Sequence, residues 1–440
     1  MQLLESIKNM FRIPELKKRL LFTLGMFAIY RLGEHVPAPG VNGQALASAF
    51  ASQAGTLFGL YDVFVGGSFS RATIFALGIM PYISASIILQ LLGVVVPYVE
   101  KLRKEGEEGQ KKITQLTRYG TVAIALIQSY AYALFLQSSG AVNGVSIVTD
   151  PGLGFITTMV ITQTAGCILV MWLGEQITER GIGNGISLII FINIIGRAPN
   201  DVARLFESFR AGTLNLFTTV IALALLVAVI AFVVMLTQGT RKIPVQYAKR
   251  MVGRRMYGGA STHIPLKVNT AGVIPIIFAS SLMILPLTVA SFFPVGSAGQ
   301  DLIAQWMSPG RALYEVLYFV IIVFFAYFYT AVVLNPQDVA ENMRKYGGFV
   351  PGIRPGKKTA EYIDRVLTRI TLPGAIALAL VAVVPDMLLR GFNLPFAFGG
   401  TSVLIVVGVA LDTLMQIESH LLMRHYEGFV KKGRIRGRRA

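Results

Sequence analysis

The sequence predicts an all-α membrane protein that crosses a bilayer ten times, in two inverted halves of five helices. Three observations carry this. Over 440 residues, 54% are hydrophobic and only 14% charged, which leaves a soluble chain of this length too little polar surface to cover itself. The apolar residues fall in separate runs, and the basic residues concentrate in alternate loops between them. The alternating strands and turns of an outer-membrane barrel are absent, so helices are the way to satisfy the backbone in lipid.

A hydrocarbon core of roughly 30 Å takes about 20 apolar residues per helical span. The first run, Leu20 to Tyr30, follows Lys17, Lys18 and Arg19 and ends in YRLGEHVPAPG. It lacks a small-x-small cleavage site and reads as a retained span. Leu57 to Ser70 (LFGLYDVFVGGSFS) is too short to span and is broken by Gly66 and Gly67, yet it is more apolar than a solvent loop. It reads either as a re-entrant segment inside a cavity or as an interfacial half-helix. Clear spans follow at Ala72 to Val96, Tyr119 to Leu136 and Phe155 to Leu173, and a shorter one at Gly185 to Ile195. The second half offers Leu214 to Leu236, Val268 to Phe293 and Tyr314 to Leu334, then the shorter Ile370 to Val384 and Phe396 to Leu411.

Charge supplies an independent check. Of 40 Lys and Arg, all but seven (Arg31, Arg71, Arg197, Arg204, Arg210, Arg311, Arg390) fall in the N-terminal segment, in alternate loops or in the C-terminal tail. By the positive-inside rule both termini are cytoplasmic, which requires an even number of spans. Five spans in each half (1–205 and 206–440) invert the second half relative to the first.

The chemistry-bearing residues are sparse. The acidic residues near spans, Glu34, Glu100, Glu175, Asp386, Asp412 and Glu418, flank them, and none lies mid-span. That argues against an ion-coupled solute transporter, the runner-up reading, and against an intramembrane enzyme, the third. His35, His263, His420 and His425 have no ligand spacing, and the single cysteine, Cys167, allows no disulfide within the chain. Gly181, Gly183 and Gly185 lack the strand and the Lys-Ser/Thr of a phosphate loop. They read as a tight turn, with Asn184 capping the next helix. No cofactor is expected, and any ATP-driven step belongs to a partner. Residues 238–267 hold seven Lys and Arg between two apolar runs. Such loops set topology, but the interleaved Tyr247, Met251, Met256 and Tyr257 also suit a contact surface. The basic tail, 424–440, needs only acidic lipid headgroups to explain it.

Several stretches, IFALGIMPYISASII, TRYGT, MWLGEQITERGIGNGIS, QYAKRMVGRRMYGG, LKVNTAGVIPIIFASS, NPQDVAENMRKYGGFVPGIRPG and FGGTSVLIVVGVALDT, resemble the SecY family of protein-translocation channels. The likeness runs through nearly the whole chain. It implies a central hourglass pore, closed at its waist by Ile79, Ile83, Ile186, Ile190, Ile277 and Ile405. An apolar constriction of that kind dewets and stops ions without a fixed charge that would trap a passing peptide. It also implies a plug at 57–70, with Leu57, Phe58, Tyr61, Asp62, Val63, Phe64, Gly66, Gly67 and Phe69, and a lateral gate for apolar segments. The loops 238–267 and 335–367 would dock a SecA ATPase or the ribosome through Lys249, Arg250, Arg254, Arg255 and Arg354. Further implied partners are small SecE-like and SecG-like membrane subunits, signal sequences, nascent polypeptides and membrane lipids. The implied location is the bacterial cytoplasmic (inner) membrane.

Overall fold

The computed structural model describes residues 13–51, 57–139, 141–142, 145–212, 216–247, 250–252, 255–257, 261–290, 297, 306–391 and 399–432. Its helices are α1 (Pro14–Gly33), α2 (Gly43–Ala51), α3 (Leu57–Phe64), α4 (Met80–Val95), α5 (Pro97–Lys104), α6 (Glu107–Ser138), α7 (Leu153–Arg180), α8 (Gly185–Arg210), α9 (Leu216–Gln238), α10 (Ile274–Ala290), α11 (Ala312–Val333), α12 (Pro336–Lys345), α13 (Lys357–Gly391) and α14 (Gly400–Lys432). Each of the ten apolar runs coincides with one of them. Among the described residues, seven helices are long and apolar enough to cross a membrane, or eight if α4 and α5 form one broken span. With α1 and the short apolar α10 beside them, ten spans are consistent with these elements.

Local sequence explains the breaks. The 97° bend between α4 and α5 falls at Val96, which is extended (φ −99°, ψ 113°) ahead of Pro97, because proline pushes the preceding residue out of the α region. The expected span from Ala72 to Val96 begins late for a similar reason. Residues 65–79 are turns, and α4 starts only at Met80, with Pro81 in its first turn. Gly78 holds φ +54°, and a Cβ there would lie 2.9 Å from Val65. Glycine thus allows a turn that leaves Ile79 as the residue capping α4. At the start of α8, Asn184 Oδ1 accepts from the amides of Ile186 (3.1 Å) and Ser187 (3.3 Å), as the capping expectation required.

The chain divides into two compact units. The first draws on residues 1–200, 284–304 and 409–440, and the second on 201–283 and 305–408. In the first, α6 packs against α4 and α7, α1 packs against α7, and β1 (Ala141–Val142) pairs antiparallel with β2 (Val145–Ser146). The Tyr30 and Phe75 rings stack at 5.5 Å.

In the second unit, α13 packs against α9, α11 and α12. This unit also holds a feature the helical reading missed. β3 (Thr240–Tyr247) pairs antiparallel with β6 (Ser261–Lys267), Ile243 facing Ile264, and on its other side with β7 (Gly348–Phe349). Ile243, Val245 and Leu266 from the ladder join Met343, Val350, Ile363 and Leu367 in one buried apolar core. The two basic loops therefore fold together as a small β-and-helix platform.

Candidate functional site

The segment 57–70 is α3 followed by a run of turns. It is packed inside the first unit: Tyr61, Asp62, Val63, Phe64 and Phe69 are all buried. The side chains of Leu57 and Phe58 lie outside the described residues. Phe69 sits in an aromatic nest, 4.8 Å from the Tyr61 ring, 4.5 Å from Tyr132 and 5.5 Å from Phe50. Contacts of this kind hold a segment by area and shape, without strong directional bonds.

Directional bonds come from polar groups around the nest. Tyr132 donates its hydroxyl to Phe69 O (2.7 Å), and Tyr61 donates to Leu77 O (3.0 Å). Asp62 Oδ1 accepts from the Ser70 amide (2.9 Å), and its other oxygen pairs with Arg197 of α8 at 3.1 Å. Asn193, one turn earlier on α8, donates to Phe64 O (2.8 Å) and to the Tyr30 hydroxyl (2.9 Å). Arg71 donates to the carbonyls of Gly67 (2.9 Å) and Gly66 (3.2 Å). Beside them, buried Glu34 pairs with Arg31, which also donates to Ile192 O (2.9 Å). The Arg31 guanidinium can lie across α8 because residue 196 is glycine; a Cβ there would overlap it. Sequence reasoning did not single out Arg31, Glu34, Arg71, Asn193 or Arg197 for this segment. The available signal was Asn193 and Arg197 interrupting the apolar FINIIGRAP stretch.

The isoleucines expected at the waist divide between the units. In the first, Ile79, Ile83 and Ile190 are buried and Ile186 is half-buried. The segment 57–70 abuts the turn that presents Ile79, through Tyr61 on Leu77 and Val65 on Gly78. In the second, Ile277 and Ile405 are buried on α10 and α14. Those helices approach closely: a Cβ on Gly408 would lie 2.0 Å from Val273. The Tyr318 hydroxyl of α11 ties them further, to Ser280 (2.9 Å) and Thr401 (3.2 Å).

Of the docking candidates, Arg250 and Arg255 lie on a short hairpin, β4 (Arg250–Val252) paired with β5 (Arg255–Tyr257). Lys249 and Arg254 lie outside the described residues. Arg354 is exposed on the 351–356 turn between β7 and α13. Its carbonyl accepts the Thr359 hydroxyl at 2.9 Å, which fixes the turn to the first turn of α13. Beside it, α12 and α13 border a cleft of about 590 Å³ lined by Glu341, Arg344, Lys357, Glu361 and Asp364, among others. Among the described residues, no cluster of His, Cys, Asp and Glu could hold a metal ion.

Comparison with known proteins places this geometry. The SecY family model matches residues 73–414. The protein translocase subunit SecY of Streptomyces galbus is 51% identical over 439 residues, covering 98% of this chain and all of that one. Its counterpart in Escherichia coli K12 is 48% identical over 427 residues, covering 97% and 96%. Among solved structures, one described as a protein-conducting channel superposes with a TM-score of 0.64 at 18% identity, over 92% of each chain. A second, on the plug domain of SecY, gives 0.62 at 20% identity and the same coverage. With the family model matching most of its length and relatives near half identity across nearly all of it, the chain belongs to the SecY family.

Proposed function

We propose that the chain is the pore subunit of a channel that passes unfolded secretory polypeptides across the bacterial cytoplasmic membrane and releases apolar segments sideways into lipid. The observation that carries this reading is the segment 57–70. It is apolar, non-spanning and buried, and it is packed against the turn bearing Ile79. A short stopper beside an aliphatic constriction suits a pore that must stay tight to ions and still yield to a chain. The waist is Ile79, Ile83, Ile186, Ile190, Ile277 and Ile405, and the plug is 57–70. Apolar segments leave past α4, α6, α10 and α11, sorted by their own hydrophobicity. This task requires no covalent chemistry.

SecE-like and SecG-like subunits complete the membrane assembly, and a SecA ATPase or a ribosome engages the platform, whose basic residues suit phosphate-rich or acidic surfaces. The solute-transporter reading gains no support. Of the buried acids, Asp62 and Glu34 beside the segment 57–70 are already paired with Arg197 and Arg31, and so are not free to carry a coupling ion.

Two experiments test the proposal. Deleting 57–70 should raise the resting ion conductance of reconstituted channels by roughly tenfold while leaving translocation partly intact, because the waist remains as a second seal. An unchanged conductance would remove the plug role. Topology is the other check. Cysteine at Thr262, exposed on β6, should be labelled only from the cytoplasmic side, and cysteine at Asp150, exposed between α6 and α7, only from outside. The reverse pattern would overturn the orientation and the docking assignment with it.

A further inference from the structure

Ile186, Ile190, Asn193 and Arg197 follow one another along α8 at offsets of four, three and four residues. Those offsets place all four on one narrow stripe of the helix. The first two are waist residues in the reading above. The second two reach the plug, Asn193 through Phe64 O at 2.8 Å and Arg197 through Asp62 at 3.1 Å. One helix face thus carries part of the constriction and two directional holds on the stopper. We propose that Asn193 and Arg197 are the latch that sets how apolar a signal segment must be before the plug lets go. The proposal rests on the channel reading and deepens it.

Several features favour a releasable latch over a permanent structural tie. The plug is not a rigid element on both sides of the contact: α3 is eight residues long, and residues 65–79 that follow are turns. Within them, buried Ala72 holds φ +45°, a conformation costly for a residue with a Cβ. The Asp62 and Arg197 side chains are 10% and 22% exposed, so the pair is poorly screened while the plug is seated. Once the plug leaves, water can reach both charges. Their hydration then offsets part of the lost pairing, which makes release reversible.

The contacts on the neighbouring elements act differently. Arg71 bonds only to carbonyls of its own turn, Gly66 and Gly67, and shapes the plug without fastening it to a helix. Arg31 fastens α1 to α8 through Ile192 O and does not touch the plug. Tyr132 of α6 also bonds the segment, at Phe69 O, but the charged fastening falls on α8, whose displacement by an incoming apolar segment would loosen waist and latch in one movement. Hydrophobic substrates would supply that displacement by their own burial, and weakly apolar ones would fail against an intact latch.

The test uses the full channel, reconstituted with its membrane partners and motor, and two secretory substrates. One carries an intact signal sequence, and the other has a charge inserted into the apolar core of its signal. Arg197→Ala should raise transport of the weakened substrate relative to the intact one by about five- to tenfold, and Asn193→Ala should act in the same direction. Arg197→Lys, which keeps the charge facing Asp62, should retain most of the discrimination. The ratio is taken within each preparation, so a loss of folded channel moves both substrates alike and leaves it unchanged. A ratio in Arg197→Ala within twofold of the unaltered channel would overturn the latch. If the unaltered channel carries neither substrate, the channel reading itself has failed, and the latch with it.

Discussion

A channel carrying Arg354→Glu should fold and insert normally yet lose most of its motor-driven translocation. Arg354 is exposed on a turn held by Pro351, Pro355 and the Thr359 hydroxyl bond, so the substitution removes no buried contact. Two of its basic neighbours are already paired. Lys345 pairs with Glu341 at 3.3 Å and Lys358 with Glu361 at 3.0 Å, whereas the Arg354 guanidinium has no ion pair among the described residues. A local carboxylate thus already offsets two of the loop's cations, and Arg354 projects an uncompensated charge. Setting a carboxylate against an acidic docking surface costs roughly 3 kcal/mol, about a hundredfold in affinity. Translocation by the purified, reconstituted channel, with thermal stability measured alongside, decides the matter. Near-normal transport by a stably folded variant would remove Arg354 from the docking surface.

Gly166→Ala should strongly destabilise the first unit. Residue 166 lies within α7, and a Cβ there would sit 1.9 Å from the carbonyl oxygen of Ile74. The obstruction is main chain, and the turn it belongs to continues directly to Ile79, so the clash can be relieved only by moving backbone. Overpacking of that kind costs roughly 3 kcal/mol, a large share of the roughly 5–15 kcal/mol that holds a typical domain together. Gly154→Ala in the same helix is the control, since a Cβ there meets nothing within 4 Å. It should be neutral, or stabilising by up to about 1 kcal/mol. Thermal unfolding of the two purified variants gives the comparison, and equal stability would refute the close approach.

The sequence made the spans legible because lipid imposes a coarse rule: enough apolar residues in a row must become a helix. Boundaries were less legible where local geometry overrode hydropathy. The run from Ala72 reads as one span, but the turns through Gly78 delay α4 to Met80. The β-platform was missed because charge dominated the reading of 238–267. The inward alternation of Ile243 and Val245 on β3 is only two residues long, and their core partners Met343, Val350, Ile363 and Leu367 come from a loop about a hundred residues away. Resemblance to the family supplied the waist and plug positions, which hydropathy cannot tell from packing. Most of the polar groups around the segment 57–70 escaped because their partners are main-chain carbonyls, such as those of Phe64, Phe69 and Leu77, which no side-chain pattern records.

Arg354 lies three residues before α13 begins, and α13 runs for 35 residues, from platform level through one of the membrane-spanning candidates. At 1.5 Å per residue that is a rod of about 50 Å, rooted in the platform core by Ile363 and Leu367. A push delivered at the turn is therefore not dissipated in a floppy loop. It enters a stiff beam whose main compliant points are Pro373 and Pro385, where the hydrogen-bond ladder is interrupted. Mechanically, a motor gripping this surface would hold one end of a lever with a built-in flexure, and the stroke transmitted would be set by how far the rod bends at Pro373.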